Sequence, residues 1–298
     1  MIWGQCGYRH NMVSPLAAFL CPPGYAGPTG LRALARESSA VGEAARFVRR
    51  SAQHRRERRD LPYASRTPER NLEPIVLVPG FMAGDATLGL MARHLRHLGH
   101  RTYRSTMHAN VGCTQAASEA LERRIESIAI KRDRKVTVVG HSLGGLLARG
   151  LAGRRPDLID AIVTLGSPIL APGAAHPVLL FDLGLIIKLR NAGFGGMMGE
   201  DCTAGECARL SWEQSQVPLE KDVAFTSVFS RRDGIIDWRS CLDPQAKTVE
   251  VSTSHLGMAF DPVVLDVVTE TLTANRERRQ RQLTATATLT AVPDASVG

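Results

Sequence analysis

The sequence predicts an α/β fold, a mostly parallel central sheet flanked by helices with a cap or lid inserted into it. Three observations carry this. From Pro74 onward, short apolar runs alternate with helical patterns, the rhythm of βαβ units. The run Val136-Thr137-Val138-Val139 shows almost no polar alternation, as a strand covered on both faces requires. Between Pro168 and Ala224 lie 55 residues without a strand signal, and an insertion of that size in a compact domain is usually functional.

The elements follow in order. Residues 1–73 read as a basic leader. Met12 to Cys21 faintly resembles the apolar core of a signal peptide, but Pro15 interrupts it and no small-x-small site precedes Pro22-Pro23-Gly24. The first 30 residues are therefore read as unstructured, and a cytoplasmic location is favoured over secretion. Leu31, Leu34, Val41, Ala44, Ala45 and Val48 recur at three-to-four spacing, predicting one Arg-rich helix over 31–59. It reads as a solvated helix packed on the main domain, or as an arm whose residues 46–59 hold anionic lipid. Pro62 and Pro68 mark a linker. Strands are expected at 75–78, 101–104, 136–139, 162–165, 225–229 and 248–251, and helices at about 86–98, 116–130, 143–153 and 262–273. The catalytic domain then spans 74–274, with its cap at about 169–223. Residues 275–298, rich in Arg, Thr and Ala, read as a disordered tail.

Composition excludes several classes. With 298 residues and 44% hydrophobic content, the chain can bury a large core. No apolar run approaches the roughly 20 residues of a membrane-spanning helix. Of the net charge of +8, the first 73 residues supply +6, from twelve Arg against six acids. The basic character thus belongs to the ends, and aromatics are 5%, so nucleic acid is not expected as a partner. None of the six cysteines forms a C-x-x-C pair or lies at zinc-ligand spacing from a histidine, so no metal is expected. Cys241 pairs in a disulfide with Cys202 or Cys207, or all three are free thiols. A dinucleotide or phosphate loop is absent, and no cofactor is expected.

The decisive segment is Val138-Val139-Gly140-His141-Ser142-Leu143-Gly144-Gly145, a G-x-S-x-G motif between a β-branched strand and a helix-forming run. A serine at the tip of so tight a turn has a strained backbone, and side chains two positions away on either side would clash. Glycines at 140 and 144 remove them. The turn exposes the hydroxyl and aims the N-terminus of the following helix at developing negative charge.

With Leu77-Val78-Pro79-Gly80-Phe81, Val163-Thr164-Leu165-Gly166-Ser167-Pro168, Phe229-Ser230-Arg231-Arg232-Asp233-Gly234 and Ser254-His255-Leu256-Gly257, this segment resembles the α/β-hydrolase superfamily over residues 74–273, especially compact bacterial lipases and esterases. The resemblance implies a catalytic triad in the order Ser, acid, His. Among the nine histidines, only His255 stands after the last strand, where the family's base resides; His141 is expected to be locked in the elbow, pointing away from the base's position. Asp233 matches the S-x-x-D-G pattern of similar lipases, while Asp237 is expected to cap or bond locally, and Asp261 to be a helix N-cap. The oxyanion donors implied are the amides of Leu143 and Phe81, with Met82 as the neighbouring alternative because Pro79 replaces the family's histidine. Met82, Phe181 and Leu185 are expected to line the pocket or lid.

The function implied is that of a serine carboxylic-ester hydrolase, acting through an acyl-enzyme on a small-molecule or lipid ester with an apolar acyl group. An acyltransferase or thioesterase would share the triad. A non-catalytic binding protein of this fold is the remaining alternative.

Overall fold

The computed structural model describes residues 16–60 and 73–290. The leader before Leu16, the linker with Pro62 and Pro68, and the tail from residue 291 lie outside the described residues. Six strands, β1 (Pro74–Val78), β2 (Arg101–Arg104), β3 (Val136–His141), β4 (Ile159–Leu165), β5 (Ala224–Phe229) and β6 (Lys247–Glu250), form one sheet in the order β2-β1-β3-β4-β5-β6. Every neighbouring pair is parallel. All six fall where the apolar runs predict them.

The alternation of side chains along a strand divides the core in two. From β1, Ile75 and Leu77 join Val139, Val163 and Val228 on one face, beneath Met91 and Leu95 of α3 (Gly89–His97) and Val264 and Val268 of α9 (Pro262–Thr290). Val76 and Val78 join Val138 and Ile162 on the other, beneath Leu121 and Ile125 of α4 (Thr114–Arg132) and Leu147 and Leu151 of α5 (Leu143–Arg154). Each such side chain, wholly withdrawn from water, contributes roughly 1.5–3 kcal/mol. Strands β1, β3 and β4 are buried along their whole length, whereas the outermost β2 and β6 are partly exposed.

The strand order reverses direction beside β1. The chain moves outward from β1 to β2, then crosses back to lay β3 on the opposite side of β1. In open parallel sheets the crevice at such a reversal, outside the carboxyl ends of the strands, is where ligands bind. The loops leaving β1 and β3 carry Pro79-Gly80-Phe81 and Ser142 to that crevice. Helix α5, which begins directly after Ser142, is anchored by Arg149. This buried guanidinium bonds Asp243 at 3.0 Å, the Val217 carbonyl at 2.7 Å and Gln245 at 2.9 Å.

Two parts of the chain differ from expectation. The predicted single leader helix is two, α1 (Leu31–Glu37) and α2 (Ser39–Asp60), broken at Ser38. Arg46 of α2 bonds Asp261 at 2.6 Å and Arg50 bonds Asp266 at 2.6 Å, so these two cations of the arm expected to hold anionic lipid are engaged within the chain. At the other end, the expected disordered tail is helix as far as Thr290. Arg279 reaches Asp160 at 2.6 Å and Arg278 the Asp160 carbonyl at 3.2 Å, and these ties extend α9 past its apolar stretch. The segment 169–223 contains α6 (Pro177–Asn191), α7 (Asp201–Ala204) and α8 (Glu206–Gln216), the last packed on α5 and α4. Among the described residues no helix is long and apolar enough to cross a membrane.

Candidate active site

Ser142 stands at the strand-to-helix turn with φ 52° and ψ −122°, the left-handed strain the motif implies. The glycines behave as the turn requires. A Cβ on Gly140 would lie 2.5 Å from the Gly144 carbonyl oxygen and from Gly145 Cα, and one on Gly144 would lie 2.3 Å from the Val78 carbonyl oxygen. Gly145 is a third constraint, since its Cβ would fall 2.0 Å from Ser167 Oγ.

The predicted acid and imidazole are closed on each other. Asp233 Oδ2 lies 2.7 Å from His255 Nδ1, with both residues buried. Asp233 Oδ1 accepts the amides of Ile235 and Ile236 at 2.8 and 2.7 Å, which fixes the carboxylate in plane. Burial pulls the His255 imidazole down, but the charge and hydrogen bond of Asp233, with the charge of Glu37, outweigh it and hold the group above its ordinary value.

Residues flanking β4's end join this pair to Ser142. The Ser142 amide donates to the Leu165 carbonyl at 2.9 Å. The next residue, Gly166, adopts φ +56° against the His255 ring, where a Cβ would press on Nδ1 at 3.0 Å. Ser142 and His255 thus share one two-residue support.

His141 does not point away from the imidazole as expected. Its Nε2 lies 3.0 Å from the His255 carbonyl oxygen, and the two ring centroids are 4.9 Å apart. Burial, and then the neighbouring His255, lower its pKa to about 4, so it packs as a neutral ring. Asp237 and Asp261 take the local roles expected, capping Arg239 at 3.1 Å and Val263 at 2.8 Å.

Of the amides expected to serve as oxyanion donors, that of Leu143 is the first N–H of α5 and so has no carbonyl within its own helix. Gly80 brings the β1 loop against the elbow, since its Cβ would lie 3.0 Å from Ser142 Cβ. The Met82 amide is committed to the Asn110 carbonyl at 3.2 Å, which favours Phe81 over Met82 as the second donor. Buried Asn110 holds this loop at three points, also donating its Nδ2 to the Pro79 carbonyl at 3.0 Å and its amide to the Ala83 carbonyl at 2.9 Å.

An apolar cavity opens beside Ser142, lined by Phe81, Leu143, Leu179, Leu180, Leu183 and Trp212 among others. Of the residues expected on its wall, Met82, Phe181 and Leu185 are instead exposed, at 53, 62 and 48%. The cause is helical phase: Phe181 and Leu185, four residues apart, share the outer face of α6, while 179, 180 and 183 turn inward.

Sequence reasoning missed the contribution of the leader. Glu37 of α1, nearly buried, accepts the amides of Gly234 at 2.9 Å, His255 at 3.0 Å and Leu256 at 3.0 Å. Glu43 of α2 accepts the Ser254 amide at 3.0 Å and hydroxyl at 2.6 Å. Burial would raise the Glu43 carboxyl, but the bonds from Ser254 and Ser39 hold it below its ordinary range. The only sequence signal was acidic residues inside an otherwise arginine-rich helix, which points to no partner. Cys202, Cys207 and Cys241 are free, so no disulfide joins them.

This fold and site define a class, the α/β-hydrolase fold with lipase- and esterase-like motifs. A family model described as the alpha/beta hydrolase fold matches residues 73–184. Over 99 residues the chain is 32% identical to a triacylglycerol lipase of Vibrio cholerae, a match covering 31% of each protein, so it spans about a third of that relative's length. The structure resembles Bacillus licheniformis lipase BlEst2, with a TM-score of 0.53 for the mature form at 14% identity, covering 69% of this chain and 94% of that one. For the propeptide form the TM-score is 0.54, at 14% identity, covering 69% of this chain and 51% of that one.

Proposed function

We propose that the protein is a serine carboxylic-ester hydrolase acting on esters with an apolar acyl group. The reading is carried by the buried Asp233–His255 pair, 2.7 Å apart, and the strained serine of the elbow, tied together through Leu165 and Gly166. In this reaction His255 takes the proton of the Ser142 hydroxyl as its oxygen attacks the ester carbonyl. The amides of Leu143 and Phe81 receive the negative charge on the carbonyl oxygen. The tetrahedral intermediate collapses, the alcohol leaves with the proton from His255, and Ser142 carries the acyl group. Water, deprotonated by His255, then releases the acid and restores the serine. Asp233 orients the imidazole and stabilises it while charged.

Support for an apolar acyl group comes from the cavity beside Ser142, whose lining leucines and Trp212 would desolvate a hydrocarbon chain and leave a charged substituent unpaired. The test is hydrolysis of p-nitrophenyl esters of increasing acyl length, with fluorophosphonate labelling. Wild-type protein is expected to turn over and be labelled, and Ser142→Ala to lose both while keeping its fold. Undiminished turnover by that variant would remove Ser142 from the mechanism.

A further inference from the structure

Three of the six cysteines meet at one point although they are scattered in sequence. Cys113 is the N-cap residue of α4, Cys202 lies in α7 and Cys207 near the start of α8. Their Sγ atoms all lie within 4.8 Å of one another, and those of Cys113 and Cys207 are 3.5 Å apart. Ester hydrolysis at Ser142 has no use for them.

We propose that Cys113, Cys202 and Cys207 hold a zinc(II) ion as three thiolates, with the fourth position open to a water or small ligand. The dimensions suit it. Zinc–sulfur bonds of about 2.3 Å in tetrahedral geometry set sulfurs at roughly 3.8 Å from one another, between the 3.5 Å of Cys113–Cys207 and the 4.8 Å limit of the group. The ligand type suits it too, because thiolates select soft d10 cations over magnesium or calcium.

The surroundings favour the resulting charge. Three thiolates and one zinc(II) leave a net charge of −1, at the N-terminus of the 19-residue helix α4, whose first N–H groups face that end. The Thr114 hydroxyl, 3.6 Å from Cys207 Sγ and 3.2 Å from Ser211 Oγ, is placed to donate to a thiolate. Binding exchanges three thiol protons for one zinc ion, with no change of oxidation state.

The site has a consequence for the cavity. Cys202, Thr203 and Thr114 lie on the wall that also bears Ser142. A metal joining α7 and α8 to the start of α4 would hold that wall in place.

The test uses the full chain, reduced with a phosphine and freed of metal. Zinc(II) is titrated against a chromogenic chelator, and cadmium(II) is titrated while thiolate-to-metal charge transfer is followed in the ultraviolet. Wild type is expected to hold one equivalent of either ion and to show the thiolate band. Cys113→Ser, Cys202→Ser and Cys207→Ser should each weaken binding by at least about a hundredfold, more than the roughly 10- to 100-fold lost with a supporting hydrogen bond. Cys241→Ala, altered at a cysteine buried among Ala175, Phe229 and Ile236, should bind as wild type. Ser142→Ala should also keep the ion, which separates this site from the hydrolytic one. Folding of each variant is checked by circular dichroism. Should a serine variant fail to fold, the wild-type cadmium band still decides. Absence of that band at one equivalent, or folded serine variants that bind as tightly as wild type, would overturn the proposal.

Discussion

Glu37 accepts the backbone amide of His255 at 3.0 Å, across 218 residues of chain. Its second oxygen takes Leu256 at 3.0 Å, and the first is shared with Gly234, next to Asp233. One leader carboxylate therefore braces both loops that carry the imidazole and its acid. Glu43 does the same for Ser254, so the leader is part of the site's scaffold.

Replacing Glu37 with Ala should leave three amides without their acceptor, each costing about 1–3 kcal/mol where water cannot replace it. Urea denaturation is expected to show a loss of several kcal/mol. Glu37→Gln keeps one carbonyl oxygen but turns an NH2 group toward donors, so it should not rescue. In folded Glu37→Gln protein, kcat should fall about tenfold or more with KM little changed, because the acyl cavity is untouched. Unaltered kcat would leave Glu37 a structural brace with no part in positioning the imidazole.

The pH profile should report the Asp233–His255 pair. The base works neutral, so kcat/KM rises with pH through the imidazole's pKa, and the acidic limb should lie above the ordinary imidazole value. Asp233→Asn removes the charge and the hydrogen bond of Asp233 and leaves burial opposed only by the charge of Glu37, so the limb should move down while kcat falls roughly 10⁴-fold. In stability, a raised imidazole pKa adds stabilisation that is complete below the unfolded-state value and is lost as pH climbs through the folded-state one. The wild-type advantage over Asp233→Asn in thermal melts should accordingly be larger near about pH 5 than near about pH 9. A limb that stays put would detach Asp233 from His255.

Asn110→Ala should loosen the segment from Pro79 to Ala83 and blur the position of the Phe81 amide. Loss of one oxyanion donor costs about a hundred- to a thousand-fold in kcat. Partial displacement should therefore cost tenfold or somewhat more, with KM for p-nitrophenyl esters held. A change confined to KM would assign Asn110 to substrate binding instead.

Gly144→Ala places a methyl carbon 2.3 Å from the Val78 carbonyl oxygen, and neither backbone can yield without moving β1 or the elbow. Little soluble protein is expected, and any recovered should lack fluorophosphonate labelling. Gly184→Ala, where nothing lies within 4 Å of the added carbon, serves as the tolerated control.

Much of this molecule was legible in its residues alone. The six strands, the elbow with Gly140 and Gly144, the Asp233 turn and the His255 loop all stand where local patterns and family resemblance put them. Those signals are short-range: strand periodicity, a glycine's missing Cβ, a turn's hydrogen bonds. The inward face of α6, the helix continuing to Thr290, the brace of Glu37 and Glu43, the Asn110 clamp and the meeting of Cys113 with Cys207 across 94 residues were decided only by tertiary structure. The physical reason is partnership over distance. A carboxylate or thiol can be withdrawn from water only where the folded chain supplies donors or companions, and no local pattern records which remote segment will bring them.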